Sequence, residues 1–131
     1  MLNATLAPSM KRIVLVEDSP IIRESLVDML NDGDENRVIG TADTEDDAFD
    51  LISNYPADVA IIDINLREGS GIGLLARLRT LERSPTLIVY TNHYNRRLHD
   101  HCTQLGAAHV LSKSGDFNEL LDALEEVDIG H

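Results

Sequence analysis

Three carboxylates, a hydroxyl and an ammonium each follow a short apolar run of the sequence. The carboxylates are Glu17, Asp18 and Asp63, the hydroxyl is that of Thr91, and the ammonium is that of Lys113. Carboxylates held close together raise one another's pKa, and a divalent cation relieves their repulsion. A hydroxyl and an ammonium suit the oxygens of a phosphoryl group. The residue types therefore predict a site for a hard cation beside a phosphoryl group.

Asp63 is the candidate nucleophile of this set. Its carboxylate can attack a phosphorus atom and form an acyl phosphate, while a cation offsets the charge of the transferred group. Mg²⁺ prefers oxygen ligands, and we expect Asp18 and Asp63 to bind it directly. Glu17 would bind it directly or through a water molecule. The backbone carbonyl of Asn65 is a further candidate ligand.

Short apolar segments must position these side chains. Continuous runs of β-branched and aliphatic residues are typical of buried parallel strands. Apolar residues that recur every three or four positions between the runs predict helices. The predicted strands are residues 13–16, 38–42, 59–62, 86–90 and 108–111.

Helix-capping residues support the intervening helices. Ser19, followed by a proline, is a candidate first cap, and Thr44 begins a capping-box pattern. Asp116 is the candidate cap of the last helix. A polar helix is predicted over 94–105 and ends at Gly106, since glycine is favoured just after a helix.

The order of elements is five β–α units with no repeat or linker between them. Such alternation predicts an α/β fold, with a five-stranded parallel sheet, doubly wound with helices on both faces. Ligand sites in such sheets lie beyond the carboxyl ends of the strands. We therefore expect the five polar residues to meet at one edge. The domain is predicted over 10–128, with tails at 1–9 and 129–131.

Composition excludes several classes of protein. The chain has 131 residues and a net charge of −12, which argues against a nucleic-acid partner and against an anionic membrane surface. No apolar run is long enough to span a membrane, no secretory signal is evident, and the single Cys102 excludes an internal disulfide. We expect a cytoplasmic protein. Arg96 and Arg97 stand out in this acidic chain, as a solvated face or as a docking feature for an acidic partner.

Four stretches of the sequence carry a resemblance to a known family. The chain resembles a bacterial response-regulator receiver domain of the stand-alone, single-domain type. This resemblance implies a flavodoxin-like (βα)₅ fold. The matching stretches are IVLVEDS at 13–19, AIIDINL at 60–66 with GSG at 69–71, LIVYTN at 87–92 and LGAAHVLSKS at 105–114.

The resemblance implies a phosphorylation-dependent switch of a two-component system. Asp63 would accept a phosphoryl group from a sensor histidine kinase or a histidine phosphotransfer protein, with Mg²⁺ as cofactor. Glu17 and Asp18 would be the acidic pair, Thr91 the switch hydroxyl and Lys113 the phosphate-contacting lysine. A downstream protein would bind the face formed by the fourth helix, fifth strand and fifth helix. No enzymatic activity is expected beyond phosphorylation and dephosphorylation of Asp63 itself.

Three positions depart from the family pattern. Ser114 stands where proline usually follows the lysine, and Asn92 stands where a smaller residue usually follows the threonine. Val110 replaces the usual Tyr or Phe, so the aromatic rotamer switch cannot operate in its usual form. We expect His93 and Tyr94, in the loop after the fourth strand, to carry the output instead.

Two other functions stay open at this point. One is a degenerate receiver that binds a protein partner without being phosphorylated. The other is an aspartyl-nucleophile phosphatase. That class requires a second aspartate two residues after the nucleophile as a general acid, and Asn65 occupies this position.

Overall fold

A computed structural model describes residues 10–129, within which five strands alternate with five helices. The predicted tail at 1–9 and the last two residues of the predicted tail at 129–131 lie outside the described residues. The strands are β1 (Lys11–Val16), β2 (Asn36–Ala42), β3 (Val59–Ile62), β4 (Thr86–Thr91) and β5 (Ala107–Ser112). The helices are α1 (Pro20–Asn31), α2 (Glu45–Asn54), α3 (Gly71–Leu78), α4 (Arg96–Gln104) and α5 (Phe117–Glu125).

The strands form one parallel sheet in the order β2-β1-β3-β4-β5. The chain first moves from β1 to β2 and then returns to the other side of β1, where β3 lies. Strand order therefore reverses between β2 and β3, and ligands of such sheets bind beyond the carboxyl ends of the strands at this point, here β1 and β3. The predicted doubly wound fold is confirmed.

Apolar residues of the strands point alternately into two cores. Val14 and Val16 of β1 pack with α2, α3 and α4, whereas Ile13 and Leu15 pack with α1 and α5. Successive side chains of a strand point to opposite faces, so a run of apolar residues buries both faces of the sheet. The central strands are held rigidly on both sides, which fixes the positions of the residues that follow them.

Capping side chains begin the helices where the sequence predicts them. Ser19 Oγ accepts from the Ile22 amide, Thr44 Oγ1 from the Asp47 amide and Asp116 Oδ1 from the Asn118 amide. The fourth helix begins at Arg96, two residues later than predicted, because Asn95 is its cap and accepts from the Leu98 amide at 2.8 Å.

Two strands begin earlier than their apolar runs. β1 and β2 begin at Lys11 and Asn36, and these two residues are paired. Backbone pairing does not require apolar side chains, so the ladder continues beyond the apolar segment. Within residues 10–129, no helix combines the length and the apolar character needed to cross a membrane.

Candidate functional site

The five predicted site residues lie at one edge of the sheet. Glu17 and Asp18 follow β1, Asp63 follows β3, Thr91 ends β4 and Lys113 follows β5. The Asp63 amide donates to the Val16 carbonyl, and the Lys113 amide donates to the Thr91 carbonyl, both at 3.0 Å. These bonds extend the sheet ladder by one residue and hold the side chains in register with the strands.

Three carboxylates meet beyond the carboxyl ends of β1 and β3. One oxygen each of Glu17, Asp18 and Asp63 lies within 4.8 Å of the other two. Glu17 and Asp63 are buried, and Asp18 is half-buried. Oxygens around Mg²⁺ lie about 3 Å apart when adjacent and about 4 Å apart when opposite, given its ligand distances. The donor set therefore fits a hard divalent cation.

Lys113 follows the edge strand β5 and reaches two of the same carboxylates. Its Nζ donates to Asp63 Oδ2 at 2.9 Å and also to Glu17 Oε1. Burial alone would lower the pKa of Lys113, but the hydrogen bonds to Glu17 and Asp63 outweigh it and raise that pKa. The lysine is therefore an ammonium at neutral pH.

Burial raises the pKa of Glu17, and the hydrogen bonds from Lys113 and from the Ser19 amide only partly oppose this. One ammonium thus bonds two of the three clustered carboxylates, and Glu17 is the least exposed of the three. The surplus of negative charge in a buried place is what a bound divalent cation would relieve.

The two oxygens of Asp63 have different partners. Oδ2 accepts from Lys113, and Oδ1 accepts from the backbone amide of Asn65 at 3.3 Å. The backbone of Asn65 therefore lies directly beside the candidate nucleophile. The role of its carbonyl as a cation ligand stays a prediction.

The hydroxyl of Thr91 is fully buried and already engaged. Its Oγ1 accepts from the His93 amide at 3.2 Å, which ties it to the loop between β4 and α4. Ser114 does not prevent Lys113 from reaching the site, and the Lys113–Ser114 peptide bond is trans. Val110 is buried in the core that includes α4.

Two features of the site were missed in the sequence. Arg23 donates to the Glu17 carbonyl at 2.9 Å and so anchors the loop between β1 and α1. Gly71 begins α3, and a Cβ there would clash with the Asp63 carbonyl oxygen. Only glycine allows this approach. Its position soon after a candidate acceptor aspartate was the available signal.

Comparison with known proteins identifies the family. Residues 13–125 match the response regulator receiver domain. The chain belongs to this family. This confirms the resemblance found in the sequence, while the stand-alone organisation stays a prediction.

Relatives of this receiver domain include two transcriptional regulators. A putative transcriptional regulator of Pseudomonas aeruginosa is 30% identical over 122 residues, which are 93% of this chain and 58% of that protein. The DNA-binding transcriptional activator DevR/DosR of Mycobacterium tuberculosis is 30% identical over 123 residues, 92% of this chain and 56% of that protein. The receiver domain thus spans little more than half the length of these relatives.

Solved structures show the same fold. The signal receiver domain of the putative response regulator NarL from Mycobacterium tuberculosis superposes with a TM-score of 0.84 at 28% identity, covering 91% of this chain and 96% of that one. A CheY-like receiver domain protein from Methanospirillum hungatei superposes with a TM-score of 0.78 at 26% identity, covering 90% and 93%.

Proposed function

We propose that this receiver domain is a phosphorylation-dependent switch of two-component signalling, and that Asp63 is the residue phosphorylated. A sensor histidine kinase or a histidine phosphotransfer protein would be the donor. The observation that carries the proposal is the charge imbalance at the carboxyl edge of the sheet. There the Asp63 carboxylate is bonded to the ammonium of Lys113, and Glu17 and Asp18 lie close to it.

The transfer step follows from these contacts. An Asp63 carboxylate oxygen attacks the phosphorus atom, and the bond from phosphorus to the donor nitrogen breaks with its electron pair staying on the donor imidazole. The product is an acyl phosphate on Asp63. Lys113, already bonded to this carboxylate, binds an oxygen of the transferred group.

Mg²⁺ would be held by Glu17, Asp18 and Asp63, with the Asn65 carbonyl as a further candidate ligand. When bound, it offsets the negative charge of the transferring group. Burial of Glu17 and Asp63 limits the access of bulk water to the same place.

The Thr91 hydroxyl would transmit phosphorylation to the protein surface. Rotation of its side chain toward a phosphoryl oxygen would break the bond that it now accepts from the His93 amide. The loop that follows β4 would then lose one of its anchors. Tyr94 in this loop packs edge-on against His99 of α4, with ring centroids 6.1 Å apart, so the change would reach α4. Val110 has no ring, which leaves this loop as the route to the surface.

We further propose that a downstream protein binds the face formed by α4, β5 and α5. Arg96 and Arg97 begin α4 and are both exposed. The ion-pair partner of Arg96 is the exposed Asp100, at 3.9 Å, and such a pair costs little to break. Two accessible guanidinium groups on an acidic protein favour an acidic partner.

The alternatives gain no support from the site. A degenerate receiver has no need for a buried lysine bonded to the acceptor carboxylate, and Lys113 makes this bond. A phosphatase of the aspartyl-nucleophile class needs a general acid at Asn65, whose observed contact with Asp63 is made by the backbone amide. An amide side chain cannot protonate a leaving group.

The test is phosphorylation by a small donor. The protein is incubated with acetyl phosphate, with and without Mg²⁺, and its intact mass is measured. We expect one added phosphoryl group that requires Mg²⁺ and is absent from Asp63→Asn. The matched control is Asp58→Asn, which removes another buried carboxylate at the opposite end of β3 and should still be phosphorylated.

The proposed acceptor is wrong if Asp63→Asn is modified as well as the wild type. If neither protein is modified, beryllofluoride separates two causes, because this stable analogue of the phosphoryl group does not depend on a long-lived phosphoprotein. Spectral changes with beryllofluoride indicate rapid hydrolysis, and their absence would favour a phosphorylation-independent binding module.

The route through the loop has its own test. Tyr94→Ala should weaken the effect of phosphorylation on partner binding and leave phosphorylation of Asp63 intact, since the ring of Tyr94 packs against His99 of α4. Binding of the partner that stays fully phosphorylation-dependent in Tyr94→Ala would exclude this route.

A further inference from the structure

A short loop, residues 64–70, joins β3 to α3 and lies beside Asp63. The loop folds back on itself: Asn65 pairs with Ser70 in antiparallel fashion, and the Gly71 amide donates to the Ile64 carbonyl at 2.8 Å. Its first turn delivers the Asn65 amide to Asp63 Oδ1. Any displacement of this loop therefore displaces backbone atoms that contact the candidate nucleophile.

The outer side of this loop is paired with the segment between β2 and α2. The Arg67 amide donates to the Asp43 carbonyl, and the Glu45 amide donates to the Glu68 carbonyl, both at 3.0 Å. Thr44 and Glu68 pair as in a parallel sheet. Two loops that each follow a strand are thus joined by a short backbone ladder.

A two-point ion pair fixes the register of that ladder. Arg67 Nε donates to Asp43 Oδ2 at 3.0 Å, and Arg67 Nη2 donates to Asp43 Oδ1 at 3.3 Å. The two side chains are 57% and 31% exposed. An exposed pair adds little to stability, but a bidentate arginine–carboxylate contact strongly restricts geometry. The pair is therefore better suited to orienting the loop than to holding the fold together.

The Glu45 side chain binds the end of the same loop. Its Oε1 accepts from the Ser70 amide at 3.1 Å, and its Oε2 accepts from Arg77 at 3.3 Å. The loop approaches Glu45 so closely that a Cβ at Gly69 would lie 2.5 Å from the Glu45 Cβ, and Gly69 also has a positive φ. Glycine is therefore required at position 69.

We propose that Asp43, Arg67 and Glu45 are positioning residues that hold the backbone of Asn65 at the site and thereby set its affinity for Mg²⁺. The inference rests on the proposed function, because it concerns the cation of that site. It assigns a role to three residues that touch neither the candidate nucleophile nor the phosphoryl group. Partners that orient metal ligands commonly change metal affinity by about 10–100-fold when removed.

The experiment compares Asp43→Ala with Arg67→Ala. Calorimetric titration of the metal-free full chain with Mg²⁺ alone gives the affinity, and thermal unfolding gives the stability. We expect both variants to bind Mg²⁺ about threefold to tenfold more weakly than the wild type, with nearly unchanged melting temperatures. Amide hydrogen exchange of residues 65–70 in the metal-free protein should be faster in both.

The two variants have opposite effects on charge, and this separates positioning from simple electrostatics. Removing the Asp43 carboxylate would weaken cation binding through charge alone, whereas removing the Arg67 guanidinium would strengthen it. Weaker binding in both variants supports positioning. Asp50→Ala is the matched control, because it removes an exposed carboxylate of α2 at a residue outside the proposed set.

The charge-exchanged double variant Asp43→Arg/Arg67→Asp should recover most of the lost affinity. The inference is overturned if Arg67→Ala binds Mg²⁺ as tightly as the wild type or more tightly. Failure of the wild type to bind Mg²⁺ would overturn the proposed function instead, and the inference with it. The wild-type titration therefore tells the two failures apart.

Discussion

Asp58 and Asp63 stand at opposite ends of β3, and their side chains are 5% and 9% exposed. Each lies next to a basic side chain, Arg12 for Asp58 and Lys113 for Asp63. Residue type, burial and an ionic partner are thus almost the same at the two ends. The difference lies in what else surrounds each carboxylate.

At the amino-terminal end the carboxylate completes the backbone ladder. Asp58 Oδ2 accepts from the Arg12 amide at 2.7 Å, and the Asp58 amide donates to the Arg12 carbonyl at 2.8 Å. The Asp58 carbonyl in turn accepts from the Thr86 amide at 2.9 Å. Asp58 therefore joins the beginnings of β1, β3 and β4, and the guanidinium of Arg12 balances its charge.

At the carboxyl-terminal end the charges do not balance. Glu17 and Asp63 share the ammonium of Lys113, and Asp18 lies close to both of these carboxylates. A buried surplus of negative charge lowers stability unless a cation or a change of protonation relieves it. Burial with an ionic partner is therefore common to both ends of β3, and uncompensated charge is what separates the proposed acceptor Asp63 from Asp58.

The largest expected difference between the two ends is in stability. Asp58→Asn removes the carboxylate that pairs with the guanidinium of Arg12. We expect this variant to lower the free energy of unfolding by about 2 kcal/mol. This is less than the loss for a fully buried pair, because a quarter of the Arg12 side chain is exposed. Asp63→Asn relieves the repulsion between carboxylates and should leave the free energy of unfolding unchanged or raise it by up to about 1 kcal/mol. Urea unfolding in the presence of a chelator measures both.

Equal destabilisation by these two variants would contradict the proposed difference, because Asp63 would then contribute as much to stability as Asp58. Asp122→Asn, on the exposed face of α5, shows how much an isolated surface carboxylate contributes. Its effect should lie within about 0.5 kcal/mol of the wild type.

The second difference concerns the response to Mg²⁺. A cation that binds only the folded protein raises the free energy of unfolding by about 1.4 kcal/mol at ten times its dissociation constant. We expect this gain for the wild type and almost none for Asp18→Asn at the same concentration. The control is Asp34→Asn, since Asp34 is an exposed acid in the loop before β2, at the amino-terminal edge. Loss of the response in Asp34→Asn would mean that Mg²⁺ acts through general charge screening.

The predicted strand bounds are most accurate where charged residues directly flank an apolar run. The predicted bounds of β3, 59–62, are those of the structure, because a continuous apolar run lies between two aspartates. β1 and β5 extend beyond their apolar runs, to Lys11 at one end and Ser112 at the other. Backbone pairing continues there through polar residues, so hydrophobicity does not mark where these strands begin or end.

The location of the candidate site was predictable for a physical reason. The carboxyl ends of parallel strands share one edge of the sheet. Residues that end the strands are therefore expected to lie near one another. The contacts were not predictable, because Lys113 and Glu17 are 96 residues apart and their bond depends on strand order. The pairing of Asp43 with Arg67 joins two loops that carry no periodic pattern.

The smallest expected effect is the change in Mg²⁺ affinity when Lys113 is substituted. This ammonium occupies the charge surplus that a cation would otherwise neutralise, since it is bonded to both Glu17 and Asp63. Lys113→Gln removes a competitor of the same sign, so Mg²⁺ should bind about threefold more tightly, which corresponds to about 0.6 kcal/mol. The equivalent change at the balanced end, Arg12→Gln, should leave Mg²⁺ affinity unchanged. Weaker Mg²⁺ binding in Lys113→Gln would mean that the lysine organises the carboxylates, and charge surplus would no longer explain the difference between the two ends of β3.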